Sequence, residues 1–155
     1  MTKSGRSESL KFLAMARNLT DVFDRLRQIN RPVPKPLRLP TDSEVESVEA
    51  MLGLSFHPDF RRYLLEVSDV VFGTIEPVTI TSSEASTDLV SVTNDGRKYW
   101  NLPSDYVPIC ESNSDLYCVT PDGKVVFWPH DGASDENWPN LATWIEEVWI
   151  GERGE

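Results

Sequence analysis

The sequence predicts an α+β fold in which helices precede a small, mostly antiparallel sheet of about four to six strands, closed by a C-terminal helix. Three observations lead to this class. Apolar residues recur at three- and four-residue steps before residue 70 and again after residue 140, as in amphipathic helices. Short β-prone runs gather between residues 106 and 128, and a tight-turn sequence joins two of them. Helices and strands are thus segregated along the chain, unlike the alternation of a doubly wound fold.

The first segment has one apolar and one basic face. Its apolar stripe predicts a helix and consists of Phe12, Met15, Leu19, Val22, Phe23, Leu26 and Ile29. Four prolines between residues 32 and 40 then exclude a helix and favour extended chain. We therefore divide the chain into a basic N-terminal helical arm (1–31), a proline-rich spacer (32–40) and an α+β domain (41–150). Three roles stay open for the arm: packing on the domain, contact with an acidic partner, and dimer formation.

Two further helices begin and end at recognisable residues. Thr41-Asp42-Ser43-Glu44 fits a capping box, and Gly53 stands where a helix commonly ends. Pro58-Asp59 suits the first turn of the next helix, because proline is tolerated there. Phe60, Tyr63, Leu64 and Val67 form the apolar stripe of this helix.

The strand region starts less clearly. Thr74 to Ile80 is predicted as a strand that Pro77 restricts to an edge or interrupts. Residues 82–98 are polar, and we expect a short helix there that ends near Gly96.

Three runs then predict the centre of the sheet: Tyr106 to Cys110, Leu116 to Thr120 and Lys124 to Trp128. Thr120-Pro121-Asp122-Gly123 predicts a tight turn between the last two runs. The closing helix is indicated by apolar residues at helical spacing, namely Leu141, Trp144, Ile145, Val148 and Trp149.

Composition and charge narrow the function class. The 155 residues have a net charge of −10 and are 39% hydrophobic, which is too apolar for a disordered chain. Residues 1–38 carry nine basic and three acidic side chains, a net +6, and the remainder carries six basic and 22 acidic ones, a net −16. An acidic body repels phosphate and attracts a basic protein, so we expect no direct nucleic-acid binding.

The expected location follows from other features. The sequence shows no apolar run of about 18 residues and no secretory signal, and Cys110 and Cys118 stand in apolar surroundings. We therefore expect a cytoplasmic protein, not bound to a membrane, with buried, reduced thiols.

The motifs of catalysis are missing from the sequence. His57 precedes Pro58 and suits a helix start, whereas His130, beside Asp131, suits a strand end that fixes a loop. The sequence contains no nucleophile elbow, no paired-cysteine zinc motif and no phosphate-binding loop. We expect a non-catalytic protein without a metal or another cofactor.

Several segments, taken in order from about Leu39 to Ile150, match the pattern of a known family. They are Leu39-Pro40 with residues 44–49, Pro58-Asp59-Phe60 with residues 63–65, residues 72–77, residues 106–109, residues 115–119, and residues 123–128 with His130-Asp131. This ordered set resembles the SUKH superfamily, which includes fungal Smi/Knr-type cell-wall regulators and many bacterial immunity proteins. The resemblance implies a SUKH-like α+β domain and a function in protein binding.

Two functions follow from the resemblance. One is an immunity protein that binds and neutralises a cognate toxin, for which a basic nuclease domain is a suitable partner; the other is a regulatory or scaffold domain that recruits proteins. Loop aromatics near acidic residues make good anchors for a protein partner. The candidate partner-binding residues are Asp115, Trp128, His130, Asp131, Asp135, Trp100 and Trp138.

Overall fold

The computed structural model of the protein describes residues 18–81, 85–131 and 134–151. These ranges contain five helices and one four-stranded antiparallel sheet of order β1-β2-β3-β4, so the α+β prediction is confirmed. The helices are α1 (Leu19–Ile29), α2 (Asp42–Leu52), α3 (Pro58–Glu66), α4 (Leu89–Tyr99) and α5 (Leu141–Trp144), and α5 continues as a π-helical segment (Ile145–Ile150). The strands are β1 (Val107–Ser112), β2 (Asp115–Val119), β3 (Val125–Trp128) and β4 (Asn137–Trp138).

Helix α1 packs on the rest of the fold. The Asn18 side chain caps its start by accepting from the backbone N–H of Asp21 at 3.0 Å. Its apolar stripe is buried in the common core, and the helix contacts the C-terminal helix. Packing on the domain is therefore the role that residues 19–29 show, whereas Phe12 and Met15 lie outside the described residues. The division into arm, spacer and domain stays a prediction.

The predicted ends of α2 and α3 are confirmed. The Thr41 hydroxyl accepts from the backbone N–H of Glu44, and the Glu44 carboxylate accepts from that of Thr41, which completes the capping box. Hydrogen bonds from Arg38 and from the Thr41 backbone lower the pKa of Glu44 to about 2. Gly53 ends α2 at φ +71°. The Nδ1 atom of His57 accepts from the Asp59 N–H at 3.1 Å, so His57 is the helix-start residue that its position predicts.

The prediction of a strand over residues 74–80 is wrong in detail. Instead, Pro77 and Thr79 form isolated bridges with Cys110 and Asp88. Pro77 has no N–H to donate, so pairing with β1 cannot continue as a ladder. A bond from Val78 N–H to the Ile109 carbonyl, 3.0 Å long, helps to hold this segment against β1.

Helix α4 runs past Gly96 to Tyr99, so the predicted end near Gly96 is wrong. Gly96 is buried against the sheet: a Cβ atom placed on it would lie 3.1 Å from Leu116 Cδ1 and 3.2 Å from Leu102 Cδ2. This glycine therefore allows close packing of α4 on the sheet and does not stop the helix.

The centre of the sheet follows the prediction. Strands β2 and β3 pair from Leu116↔Trp128 to Val119↔Val125, and the Gly123 N–H closes the predicted turn onto the Thr120 carbonyl at 3.0 Å. Successive residues of a strand point to opposite faces. Leu116 accordingly faces α4, whereas Tyr117 faces Trp144 of the C-terminal helix. Strand β4 was not predicted, since it has only two residues.

A chain of aromatic rings forms the middle of the core. It runs from α3 through the C-terminal helix to the sheet, with ring centroids 5.0 to 6.4 Å apart, and consists of Phe56, Phe60, Tyr63, Trp149, Trp144 and Tyr117. The hydroxyl of Tyr63 donates to the Ile109 carbonyl and the Nε1 atom of Trp149 donates to the Phe72 carbonyl, each at 3.0 Å. Burial, and secondarily Cys110, raises the pKa of Tyr63 well above its ordinary value, so the hydroxyl keeps its proton.

The π-helical segment places two tryptophans of this chain together. Trp144 and Trp149 are five residues apart, and both are fully buried. In an α-helix such a pair diverges around the axis, whereas the i→i+5 hydrogen bonds of a π-helix bring residues five apart onto one side. The two rings lie 6.4 Å apart as a result.

We predict that Trp149→Phe destabilises the protein more than Trp144→Phe. Both rings are fully buried, but only Trp149 loses a hydrogen bond, because Trp144 Nε1 has no partner among the described residues. One intramolecular hydrogen bond contributes about 0.5–1.5 kcal/mol, and the two free energies of unfolding in urea should differ by that amount. Equal losses, or a larger loss in Trp144→Phe, would contradict the assignment.

A second pair of variants tests the β2–β3 turn. Gly123 has φ +92° and a Cβ there would lie 2.6 Å from His57 Nε2, whereas Gly53 has φ +71° and open space around it. Gly53→Ala should therefore show only the cost of positive φ, about 1 kcal/mol, and Gly123→Ala should show a larger loss in thermal and urea unfolding. If the Gly123→Ala loss does not exceed that of Gly53→Ala, His57 does not restrict the turn.

Candidate partner-binding surface

Two of the predicted residues form a clamp that we name the His130 clamp, made of Asp115 and His130. The pairing of Leu116 with Trp128 brings the start of β2 beside the loop that follows β3. The backbone N–H of His130 donates to Asp115 Oδ1 at 2.9 Å, and His130 Nδ1 lies 2.8 Å from the same oxygen. His130 thus fixes a loop at a strand end, as the sequence predicts.

The same loop is held from the other side by tryptophan. Trp128 Nε1 donates to the carbonyl of Trp100, at the end of α4, over 2.8 Å. The ring of Trp128 also meets Tyr106 edge to face, with centroids 6.0 Å apart. Four of the seven candidate residues therefore lie at one corner of the fold, where α4, β2 and β3 meet.

The clamp shifts the titration of both of its groups. The side-chain hydrogen bond to Asp115 raises the pKa of His130 above its ordinary 6.5. Desolvation works to raise the pKa of Asp115, but the backbone and imidazole bonds from His130 outweigh it and lower that pKa below 3.8. Each shift favours the charged form, so the pair is an imidazolium and a carboxylate in weakly acidic solution.

The other three candidates are not part of the clamp, although Asp131 directly follows His130 and its charge helps to raise the pKa of His130. Trp138 pairs with Val125 and packs its ring 5.7 Å from that of Tyr117, on the sheet face turned towards the C-terminal helix. Asp131 and Asp135 are exposed. Trp138 thus belongs to the margin of the core, while the two carboxylates stay open to a partner. Their roles in partner binding stay predictions.

Next to the clamp lies a feature that the sequence did not predict, which we call the acidic groove. Two adjoining clefts of about 370 and 400 Å³ share Ser86, Val92 and Glu111 in their walls. Glu76 lines one cleft and Asp95 the other, so three separate chain segments each contribute one exposed carboxylate. Trp100 lines the end of the groove nearest the clamp. The three acids share no motif spacing, so nothing in the sequence indicated that they would meet.

The described ranges give no sign of a metal site or a membrane-spanning helix. Within 18–81, 85–131 and 134–151, no three histidine, cysteine or acidic side chains lie close enough together to hold a metal ion. No helix in these ranges has the length and apolar character needed to cross a membrane. Cys110 and Cys118 are buried thiols, and burial, with Cys110 nearby, raises the pKa of Cys118 well above its ordinary value. Such a thiol is a poor nucleophile, because the thiolate is the reactive form.

Comparison with known proteins assigns the chain to a family. The family model SUKH_5, described as SMI1-KNR4 cell-wall, matches residues 19–150. The chain belongs to the SUKH superfamily. A crystal structure of a protein from Pseudomonas syringae pv. tomato is similar at 36% identity and a TM-score of 0.81, over 86% of this chain and 99% of that chain. No functionally curated protein matches the chain.

The extent of the family match refines the boundary that the sequence suggested. The sequence motifs predict a start at about Leu39, whereas the SUKH match begins at residue 19, the first residue of α1. The early start agrees with the burial of the α1 stripe in the common core. Helix α1 is thus part of the matched SUKH region.

We predict that Asp115→Asn lowers the pKa of His130 towards 6.5, because it removes the charge that stabilises the imidazolium. An NMR titration of the imidazole protons measures this, with His57 in the same spectra as an internal control. In the native protein, the stabilisation from His130 is fully present below pH 6.5 and is lost as the pH rises through its raised pKa.

The contribution of Asp115 to stability depends on pH in the opposite sense. It is present above pH 3.8 and is lost as the pH falls through the lowered pKa of the carboxyl group. The difference in unfolding free energy between the native protein and Asp115→Asn should therefore be larger at pH 5.5 than at pH 9. A difference that does not change with pH, or an unchanged His130 pKa in the variant, would contradict the clamp.

Proposed function

We propose that this SUKH protein is a non-catalytic protein-binding domain that neutralises a basic cognate toxin by covering it. The observation that carries the proposal is the concentration of acid in the sequence after residue 38: residues 39–155 have a net charge of −16. Part of this charge is displayed on the exposed side chains of the acidic groove and on Asp131 and Asp135.

The physical basis of the proposal is complementarity with a nucleic-acid-binding toxin. Nuclease domains carry basic surfaces because they bind phosphates. An acidic protein approaches such a surface quickly, since the long-range field steers the encounter. Covering the basic site blocks the substrate, so the inhibitor needs no chemistry of its own. We further propose that this happens in the cytoplasm, a location that two buried thiols support.

The family description favours a second function. The description of the SUKH_5 family names SMI1-KNR4 and the cell wall. The resemblance to the fungal cell-wall regulators implies a scaffold that recruits partners. A scaffold also binds proteins without catalysis, so the fold suits both functions. Protection against a toxin distinguishes them.

We predict that co-expression of this protein with a toxin domain encoded by a neighbouring gene restores growth of the host cell. The two purified proteins should also form one complex in gel filtration, with an association rate that falls steeply as salt is raised. A catalytically dead toxin variant serves as the control for expression and for binding. A complex without protection would overturn neutralisation in favour of the scaffold, and neither complex nor protection would overturn the pairing with that toxin.

A further inference from the structure

We propose that the acidic groove binds a basic side chain within a short extended segment of the partner, with arginine preferred over lysine. The inference rests on the proposed function, since it names the surface that a basic partner would contact. It goes beyond the sequence prediction, because the groove residues Glu76, Asp95, Tyr99 and Glu111 were not among the candidates.

The first step is that the groove acids are free. Within the part of the chain that the structure describes, the carboxylates of Glu76, Asp95 and Glu111 form no ion pair or hydrogen bond. By contrast, acidic side chains of α2 and α3 are paired with arginines of α3. Glu49 accepts from Arg61 at 3.1 Å, and Glu66 accepts from Arg62 at 2.7 Å. A cation that binds these three carboxylates therefore displaces no internal partner of theirs.

The second step concerns the shape of the groove. Val78 and Val92 are buried side chains that line it, while Ser112 and Asn113 add polar groups from the β1–β2 hairpin. Lysine and arginine have apolar stems and charged heads. Such a side chain can lay its stem along the valines and present its head to the carboxylates, a combination that an acidic or purely apolar segment cannot match.

The third step concerns the aromatic end of the groove. The Tyr99 side chain lines the groove and is 64% exposed, so its ring is open to contact. The ring already lies near one cation, Lys98 Nζ, at 5.0 Å from its centroid. A guanidinium stacks flat on an aromatic ring and forms forked bonds to carboxylates, whereas an ammonium is a compact point charge that forms neither the flat stack nor the fork. The ring beside the acids is the reason for the preference for arginine.

The fourth step is that the walls are held in place. Leu89 N–H donates to the Thr79 carbonyl at 2.8 Å, which joins the start of α4 to the segment that carries Glu76. The bond from Val78 to Ile109 joins that segment to β1, which carries Glu111. A groove with fixed walls loses little conformational entropy when it is occupied.

We test the groove with a labelled peptide that contains three arginines in a glycine–serine background, and with its lysine counterpart. Binding to the full chain is measured by fluorescence anisotropy at low salt. The groove variant is Glu76→Gln, Asp95→Asn and Glu111→Gln. The matched control is Asp24→Asn, Asp105→Asn and Glu147→Gln, which alters three exposed acids away from the groove and gives the same net charge. We expect the groove variant to weaken binding of the arginine peptide at least fivefold and the control less than twofold.

Tyr99→Leu tests the aromatic step separately. This substitution should weaken binding of the arginine peptide about two- to fivefold, in line with an exposed cation–π contact. It should also reduce the preference of the protein for the arginine peptide over the lysine peptide. Chemical shift changes on adding the peptide should centre on α4 and the β1–β2 hairpin. Equal weakening by the groove and control variants, or shift changes centred on Asp131 and Asp135, would overturn the proposal.

The same variants keep this proposal distinct from the proposed function. If the unaltered protein protects against a toxin and the groove variant protects equally well, the groove is not the binding surface while the function stands. If no toxin is neutralised but the groove variant alone loses the arginine peptide, the groove binds basic segments and immunity is wrong.

Discussion

The packing of aromatic rings between α3, the C-terminal helix and the sheet is the contact on which the rest of the structure depends. Two members of the chain also fix backbone at a distance, since Tyr63 donates to Ile109 and Trp149 donates to Phe72. Ile109 lies two residues before Glu111, and Phe72 lies four residues before Glu76. The core therefore positions two walls of the acidic groove, and the π-helical turn that joins Trp144 to Trp149 belongs to this arrangement.

In this SUKH protein, the acidic residues that stabilise the fold are different from those that are open to a partner. Carboxylates on α2 and α3 stabilise helix ends and bind arginines, as Glu44 does with Arg38. Asp115 holds the His130 loop. The groove acids do neither, so their charge remains available to a partner. Trp100 connects the groove with the clamp, because its side chain lines the groove and its carbonyl accepts the hydrogen bond from Trp128.

Local chemistry made much of the fold predictable from sequence. The capping box at Thr41, the Pro58 helix start and the 120–123 turn each depend on neighbouring residues, and the structure confirms them. The failures depend on distant residues: Gly96 continues its helix because it packs under Leu116, and residues 74–80 divide their bonds between β1 and α4. For the same reason the two strands whose pairing builds the clamp were predictable, whereas the contact between Asp115 and His130 was not. The groove is built from three separated segments and was not predictable either.

The exposure of the groove acids has a consequence for how such a protein can evolve. An exposed residue without internal partners changes at a cost of about 0.5 kcal/mol or less, and Glu76, Asp95 and Glu111 are of this kind. Substitutions there leave the aromatic core and both of its backbone hydrogen bonds intact. Under the proposed function, a lineage could follow a changing partner by altering these few positions one at a time, with little loss of stability at any step.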